Sequence, residues 1–182
     1  MVRTTLYVLA GILLGLLIHL VVILTLPGLA SNNVATRLAS IGQLNKTVLL
    51  ADVAPGAANP LRLDPGVAYA MCRLDLHNGP GEVSGTLPLA FWSVAVYDDS
   101  GTVLYSTTNR DGIGQTLDLG VFDPAQTRLL AEQKIDVADG LLIVEANSDE
   151  IFVVVRLASE QPVMRDRYKT QLGKLGCRNI KI

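Results

Sequence analysis

Four side chains with chemistry to offer stand close together in the sequence: Arg73, Asp75 and His77 alternate along one stretch, and Glu82 follows just beyond a turn. If that stretch is a strand, alternate residues share a face and lie near one another. A guanidinium, carboxylates and an imidazole in such a row could bind a polar partner, pair as acid and base, or contribute to a cation site. The composition weighs against the last two. The 182 residues include two histidines, and the other one, His19, lies in a long apolar run, whereas a dedicated transition-metal site draws on more ligands of this kind. The row is therefore expected to be a polar binding face, with no metal, no cofactor and no catalytic residue assigned.

The other motifs carry less. Asp98, Asp99 and Ser100 lack the ligand spacing of an EF-hand and precede Gly101, which makes them a turn. Asn109-Arg110-Asp111-Gly112 and Gly112-Ile113-Gly114 are loop punctuation, because neither a G-x-G-x-x-G pattern nor a Lys-Ser/Thr sequel follows. No serine sits in G-x-S-x-G, so the common esterase elbow is missing. With 15 Lys+Arg against 17 Asp+Glu the net charge is −2, which argues against nucleic acid as a partner. The charge is nevertheless uneven. Residues 165–181 hold Arg165, Arg167, Lys169, Lys174, Arg178 and Lys181 against Asp166, a net of +5 that leaves −7 for the remainder. Such a basic tail could meet anionic headgroups or an acidic partner, but the solvated face of a packed terminal helix accounts for it more simply.

Stepping from these residues to the elements that must hold them, the apolar excess (49% hydrophobic, 18% charged) is concentrated at the start. Residues 6–26 are 21 positions without a formal charge, about 31 Å of helix against a hydrocarbon core of about 30 Å. They are expected to be a transmembrane helix in contact with lipid, after a short flank (1–5) and before a juxtamembrane segment (27–46). Pro27 should break the helix, and Gly28-Leu29-Ala30 before Ser31 could serve a signal peptidase; yet signal cores usually run about 7–15 residues, so retention as an anchor is expected. Arg3 favours an inside amino terminus, which would put residues 27–182 outside the cytoplasm, facing the periplasm or exterior.

Val34, Leu38 and Ile41 then recur at helical spacing. From residue 67 the period becomes two, with Ala68, Ala70, Cys72, Leu74 and Leu76 on the core face. Strands are expected at 67–76, 82–87, 91–98, 102–108 and 115–121, with a hairpin across Asp99-Ser100-Gly101. Asp123-Pro124 should open a helix to residue 130. Segments 141–146 and 151–157 read as a second hairpin across 147–150. Beyond Pro162, Met164, Tyr168, Leu172 and Leu175 predict an amphipathic helix lying on the sheet. The fold class is mainly β, an antiparallel β-sandwich or curled sheet with that C-terminal helix, preceded by one N-terminal transmembrane helix. Cys72 and Cys177 have no competitors, and in an oxidising compartment they should form a disulfide.

These residues also carry a resemblance. DPGVAYAMCRLDL (64–76), NGPGEV (78–83), FWSVAVYDDSGTVLYSTTNR (91–110) and the late LLIVEA and IFVVVRL runs before Cys177 resemble the bacterial family called domain of unknown function 1254, over roughly residues 45–180. The resemblance implies a membrane-anchored envelope protein with a β-rich domain. It also implies a companion: short members are accompanied by a small membrane protein of the related 1214 domain, and longer members fuse the two. No activity comes with the family. The expected function is thus non-catalytic binding of a partner protein or ligand, docked through the polar row or through the edge of strand 151–157. The alternative is a carbohydrate- or lipid-active envelope hydrolase using carboxylates in a cleft.

Overall fold

A computed structural model describes residues 2–29, 34–54, 56–110, 114–133, 140–159 and 161–180. The chain divides into two units, Met1–Asn33 and Val34–Ile182. The first is helix α1 (Val2–Leu29). Its stretch Val2–Leu26 is 25 residues long, about 37 Å at 1.5 Å per residue, which is long and apolar enough to cross a membrane. Every described side chain on it is exposed, so its apolar surface has no protein cover within its own unit. The helix begins earlier than expected and does not stop at Pro27. A proline so near the end forfeits one backbone hydrogen bond, and the helix runs two residues further. The candidate cleavage point after Ala30 lies outside the described residues.

Among the described residues the second unit is mixed: nine strands in two sheets, with helices. Its order is α2 (Val34–Ile41), β1 (Thr47–Leu49), β2 (Val67–Asp75), β3 (Gly81–Thr86), β4 (Trp92–Tyr97), β5 (Val103–Thr108), β6 (Thr116–Phe122), α3 (Pro124–Gln133), β7 (Leu142–Glu145), β8 (Glu150–Ala158), α4 (Arg165–Leu172) and β9 (Gly176–Asn179). One sheet runs β1-β2-β8-β4-β5 and the other β7-β6-β3-β9. Alternation in β2 sorts its side chains as the sequence implies. Ala68, Ala70, Cys72 and Leu74 join a core with Val83, Leu117, Leu119 and Val121 of the other sheet, while Met71 and Tyr69 point to a second apolar cluster under α2. Cys72 and Cys177 are joined in a disulfide, with Cα atoms 5.8 Å apart and a sequence separation of 105. The bond ties β2 of one sheet to β9 of the other.

The β4–β5 hairpin forms as expected, with Gly101 at φ 85° completing its turn. The second hairpin does not. β7 lies in the other sheet, parallel to β6, and α3 supplies the crossover that parallel pairing requires. β8 instead fills the centre of the five-stranded sheet between β2 and β4. Its run Ile151 to Val155 is buried on both faces, a continuous apolar stretch of the kind a two-sided strand needs. It therefore offers no free edge for docking. The terminal helix is also shorter than expected. α4 ends at Leu172, capped by the Gly173 N–H donating to Lys169 and Gln171 carbonyls, and Cys177 lies on β9, paired opposite Val83. Leu172 and Leu175 still enter the core, which is why the apolar spacing persists past the helix.

Candidate functional site

Three of the four residues in the expected polar row come together. Arg73, Asp75 and His77 line one open cleft of about 520 Å³ with Asp99, Asp149 and Glu150. Arg73 and Asp75 belong to β2, but His77 sits in a 3₁₀ turn (Leu76–Asn78) that ends the strand. Asp75 makes that turn: its Oδ1 accepts from the His77 N–H at 3.1 Å and its Oδ2 from the Asn78 amide at 2.9 Å. Gly79, at φ 117°, closes the turn against the Ile180 carbonyl, where a Cβ would lie 2.6 Å from that oxygen. Glu82 does not join the cleft. It lies on β3 in the other sheet, where Arg178 of β9 donates to it at 2.7 Å. A turn that looks short in sequence carries the chain from one sheet to the other, so neighbours in sequence part company.

The wiring of the cleft is largely internal. Arg73 Nε donates to Glu150 Oε1 at 2.6 Å, and its Nη1 donates to the Ala39 carbonyl at the end of α2 at 3.2 Å. The His77 ring lies between two carboxylates, Nδ1 3.1 Å from Asp75 and Nε2 3.4 Å from Asp149. Ser148 also lines the cleft, yet its hydroxyl donates to the Glu150 carbonyl at 3.2 Å. Serine, histidine and aspartate are thus present without a relay from hydroxyl to ring. Among the described residues no group of three or more His, Cys, Asp or Glu could hold a metal ion.

The basic tail is dispersed rather than gathered. Arg165 and Lys169 pair with Asp52, and Arg178 pairs with Glu82. Arg167 and Lys174 are exposed without an ion pair among the described residues, and Lys181 lies outside them, as do residues 111–113 of the glycine-bearing loop. The Glu82–Arg178 contact lies near Asp118 of β6. Burial and the charge of Glu82 raise the Asp118 pKa, with Arg178 offsetting part of the rise. The hydrogen bond and charge of Glu82 hold the Arg178 guanidinium above its usual value. At the β4–β5 hairpin Asp98 accepts from Ser100 Oγ at 2.6 Å and from the Thr102 N–H at 2.7 Å, so it is a turn carboxylate.

Sequence reading missed a second recess. An apolar cavity of about 330 Å³ opens on the face of the five-stranded sheet that α2 partly covers. Leu38, Leu50, Leu61, Leu63, Phe152 and Val154 supply its hydrocarbon surface, and Arg62, Tyr69, Tyr97 and Arg156 its polar groups. Arg156 donates to the Tyr97 hydroxyl at 2.6 Å, and the Tyr69 hydroxyl accepts from the Asp64 N–H at 3.0 Å. The legible signal lay in the outward positions of β2 and β8, where Tyr69, Met71, Phe152 and Val154 continue the apolar pattern on the face opposite the core.

No family model and no curated protein matches the chain. Among solved structures it is similar to a crystal structure of a protein from Vibrio parahaemolyticus, with a TM-score of 0.57 and 10% identity over 82% of this chain and 35% of that one. It is also similar to an uncharacterised protein from Burkholderia cenocepacia, with a TM-score of 0.46 and 13% identity over 84% of this chain and 41% of that one. The first likeness is one of fold. This chain spans well under half the length of either solved chain.

Proposed function

We propose that the protein is a membrane-anchored binding protein of the bacterial envelope, a relative of the 1254 domain family, whose strand-bearing unit docks a companion of related fold instead of catalysing a reaction. In this reading α1 stays in the cytoplasmic membrane, Arg3 keeps the amino terminus inside, and the unit from Val34 faces the periplasm as a β-sandwich. The mixed core supports the sandwich, since side chains of both sheets form one cluster. The carrying observation is the cleft, where Arg73, Asp75 and Glu150 are each bonded to a neighbour. Arg73 and Asp75 there hold the end of α2 and the turn after β2, a structural use that accounts for both side chains. The Vibrio structure adds support, because there the shared fold occupies a minor part of a longer chain.

With β8 in the interior, the docking edge moves to β5. Among the described residues it is the longest of the four edge strands, and Val103 and Leu104 on it are exposed. An edge strand carries backbone groups that a partner strand can satisfy. A photo-crosslinking residue at Ser106, used in intact cells, should capture one membrane-anchored companion in good yield. Absence of any protein adduct, together with turnover of an envelope substrate that Asp75→Asn or His77→Ala abolishes, would transfer the assignment to the hydrolase.

A further inference from the structure

We propose that the apolar cavity is a binding site for a long-chain fatty carboxylate, with the hydrocarbon against Leu38, Leu61 and Phe152 and the carboxylate on Arg156. This deepens the binding reading by naming a ligand class. The first observation is size and lining. About 330 Å³ of mostly hydrocarbon wall falls within the range of small-molecule sites. Water gains little there, and an alkyl chain gains by leaving water.

The second observation is charge. Among the described residues, the cavity's only charged side chains are the two arginines Arg62 and Arg156, and no carboxylate lines it. Arg156 is part-buried, and its guanidinium has no ion pair among the described residues. Its bonded neighbour is the Tyr97 hydroxyl, which accepts from it and so keeps its own O–H to donate. Tyr69 stands opposite Arg156 across the β2–β8 ladder, and its hydroxyl likewise accepts from the Asp64 N–H and retains a donor. A guanidinium bonded to one phenol, with a second phenol-bearing residue opposite it on the neighbouring strand, is a seat for an anion and offers nothing to a cation. A part-buried charge without a counter-ion costs stability, and a bound carboxylate would supply the missing partner.

The third observation is where the wall comes from. Val34, Ala35 and Leu38 of α2 line the cavity, and only residues 30–33 separate α2 from α1 in the chain. A single-chain amphiphile suits a cavity in a chain that also carries a candidate membrane span. The ligand's anion is taken to be the carboxylate of a free fatty acid; a phosphate-headed lipid becomes an outcome of the test.

The test uses the full chain reconstituted in phosphatidylcholine vesicles and two probes, palmitic acid and palmityl alcohol, each carrying a mid-chain diazirine. After irradiation the acid should label the segments holding Leu38, Leu61 or Phe152 in preference to the alcohol by about tenfold, the scale of one charge-assisted hydrogen bond. Arg156→Gln should abolish that preference, and Arg156→Lys should restore part of it. Excess unlabelled palmitate should compete on the unmodified protein, which keeps the test decisive if Arg156→Gln misfolds. Equal labelling by acid and alcohol, adducts confined to α1, a preference indifferent to Arg156, or stronger competition by lysophosphatidic acid than by palmitate would overturn the assignment. Crosslinking at Ser106 reads the companion separately, so either idea can fail while the other stands.

Discussion

The two faces of the five-stranded sheet are built to different standards. On the inward face Cys72, Leu74, Val153 and Val155 pack against the second sheet, with no acid or base among the buried residues of that cluster. On the outward face Met71, Phe152 and Val154 are covered by Ala35 and Leu38 of a helix of 8 residues, too short to roof a sheet of five strands. The polar cleft opens beside the C-terminal end of α2, where Arg73 reaches the Ala39 carbonyl, and the apolar cavity opens along its first turns. The contrast teaches a division of labour within single strands. Even positions of β2 secure the fold, and odd positions are left to form recesses.

The largest expected effect tests whether the inward face does carry the stability. Replacing both Cys72 and Cys177 by Ala opens a cross-link spanning 105 residues, worth about 4–5 kcal/mol in the chain-entropy account. Urea unfolding of the protein in detergent should show a loss of that order. A loss as small as that of any outward substitution would break the comparison.

Core truncations sharpen it at the next level. Leu74, fully buried, should lose about 3–5 kcal/mol on Leu74→Ala, because the surrounding sheet cannot collapse into the void. Leu38→Ala removes the same atoms from the wall of an existing cavity, and about 2 kcal/mol or less is expected. The paired measurement by the same urea titration checks the ratio, not only the sign.

The alternation that separates these two leucines' environments was plain in the sequence, and so was the Cys72–Cys177 pairing. Period two fixed which side of β2 faces inward, and the apolar run 6–26 already had the length of a membrane-crossing helix. What misled was the assumption that strands adjacent in sequence pair with each other. β7 and β8 look like a hairpin because only Ala146 to Asp149 separate them. Sheet membership is decided by what each strand must bury, and β8 needs cover on both faces whereas β7 does not. The same blindness separated Glu82 from Arg73. The cavity was only half legible, since the outward apolar positions of β2 and β8 mark the face but a recess is made by what a short helix fails to cover. Its cations could have been noticed: Arg156 follows the unbroken apolar run Ile151 to Val155 of its strand and precedes Leu157.

A substitution in the cleft should have a smaller effect still. Glu150→Gln removes the charge that meets Arg73 while leaving an oxygen to accept its Nε–H. Both side chains are partly solvated, at 24% and 35% exposure, and Arg73 keeps the Ala39 carbonyl. About 1 kcal/mol or less of stability should be lost, and capture of a companion through Ser106 should be unchanged. If the variant instead abolishes a turnover measured on the wild type, the cleft is more than scaffold.

The smallest effect concerns pH, and it follows from the inward face having no acid or base to titrate. Sensitivity to acid should then arise on outward surfaces, where two aspartates oppose each other. Burial tends to raise the Asp98 pKa, but the Ser100 hydroxyl and the N–H groups of Thr102, Ser100 and Gly101 outweigh it, leaving it below 3.8. A carboxylate with a lowered folded pKa adds stability above its unfolded value and loses it as pH falls through the folded one. The loss therefore belongs below about the ordinary Asp value of 3.8. Asp118 has the reverse sign, since burial and Glu82 raise its folded pKa. Its contribution is present while it is protonated and disappears as pH rises from 3.8 through the raised value. Its Oδ1 also has no hydrogen-bond partner. Asp118→Asn should consequently stabilise the protein near neutral pH, by less than about 1 kcal/mol given its partial exposure, whereas Asp98→Asn should destabilise it there and flatten the acid limb. Urea midpoints of the two variants across the acid range check both signs. Matching signs for the two would show that acid sensitivity comes from elsewhere, and would remove the argument that the inward face is electrostatically silent.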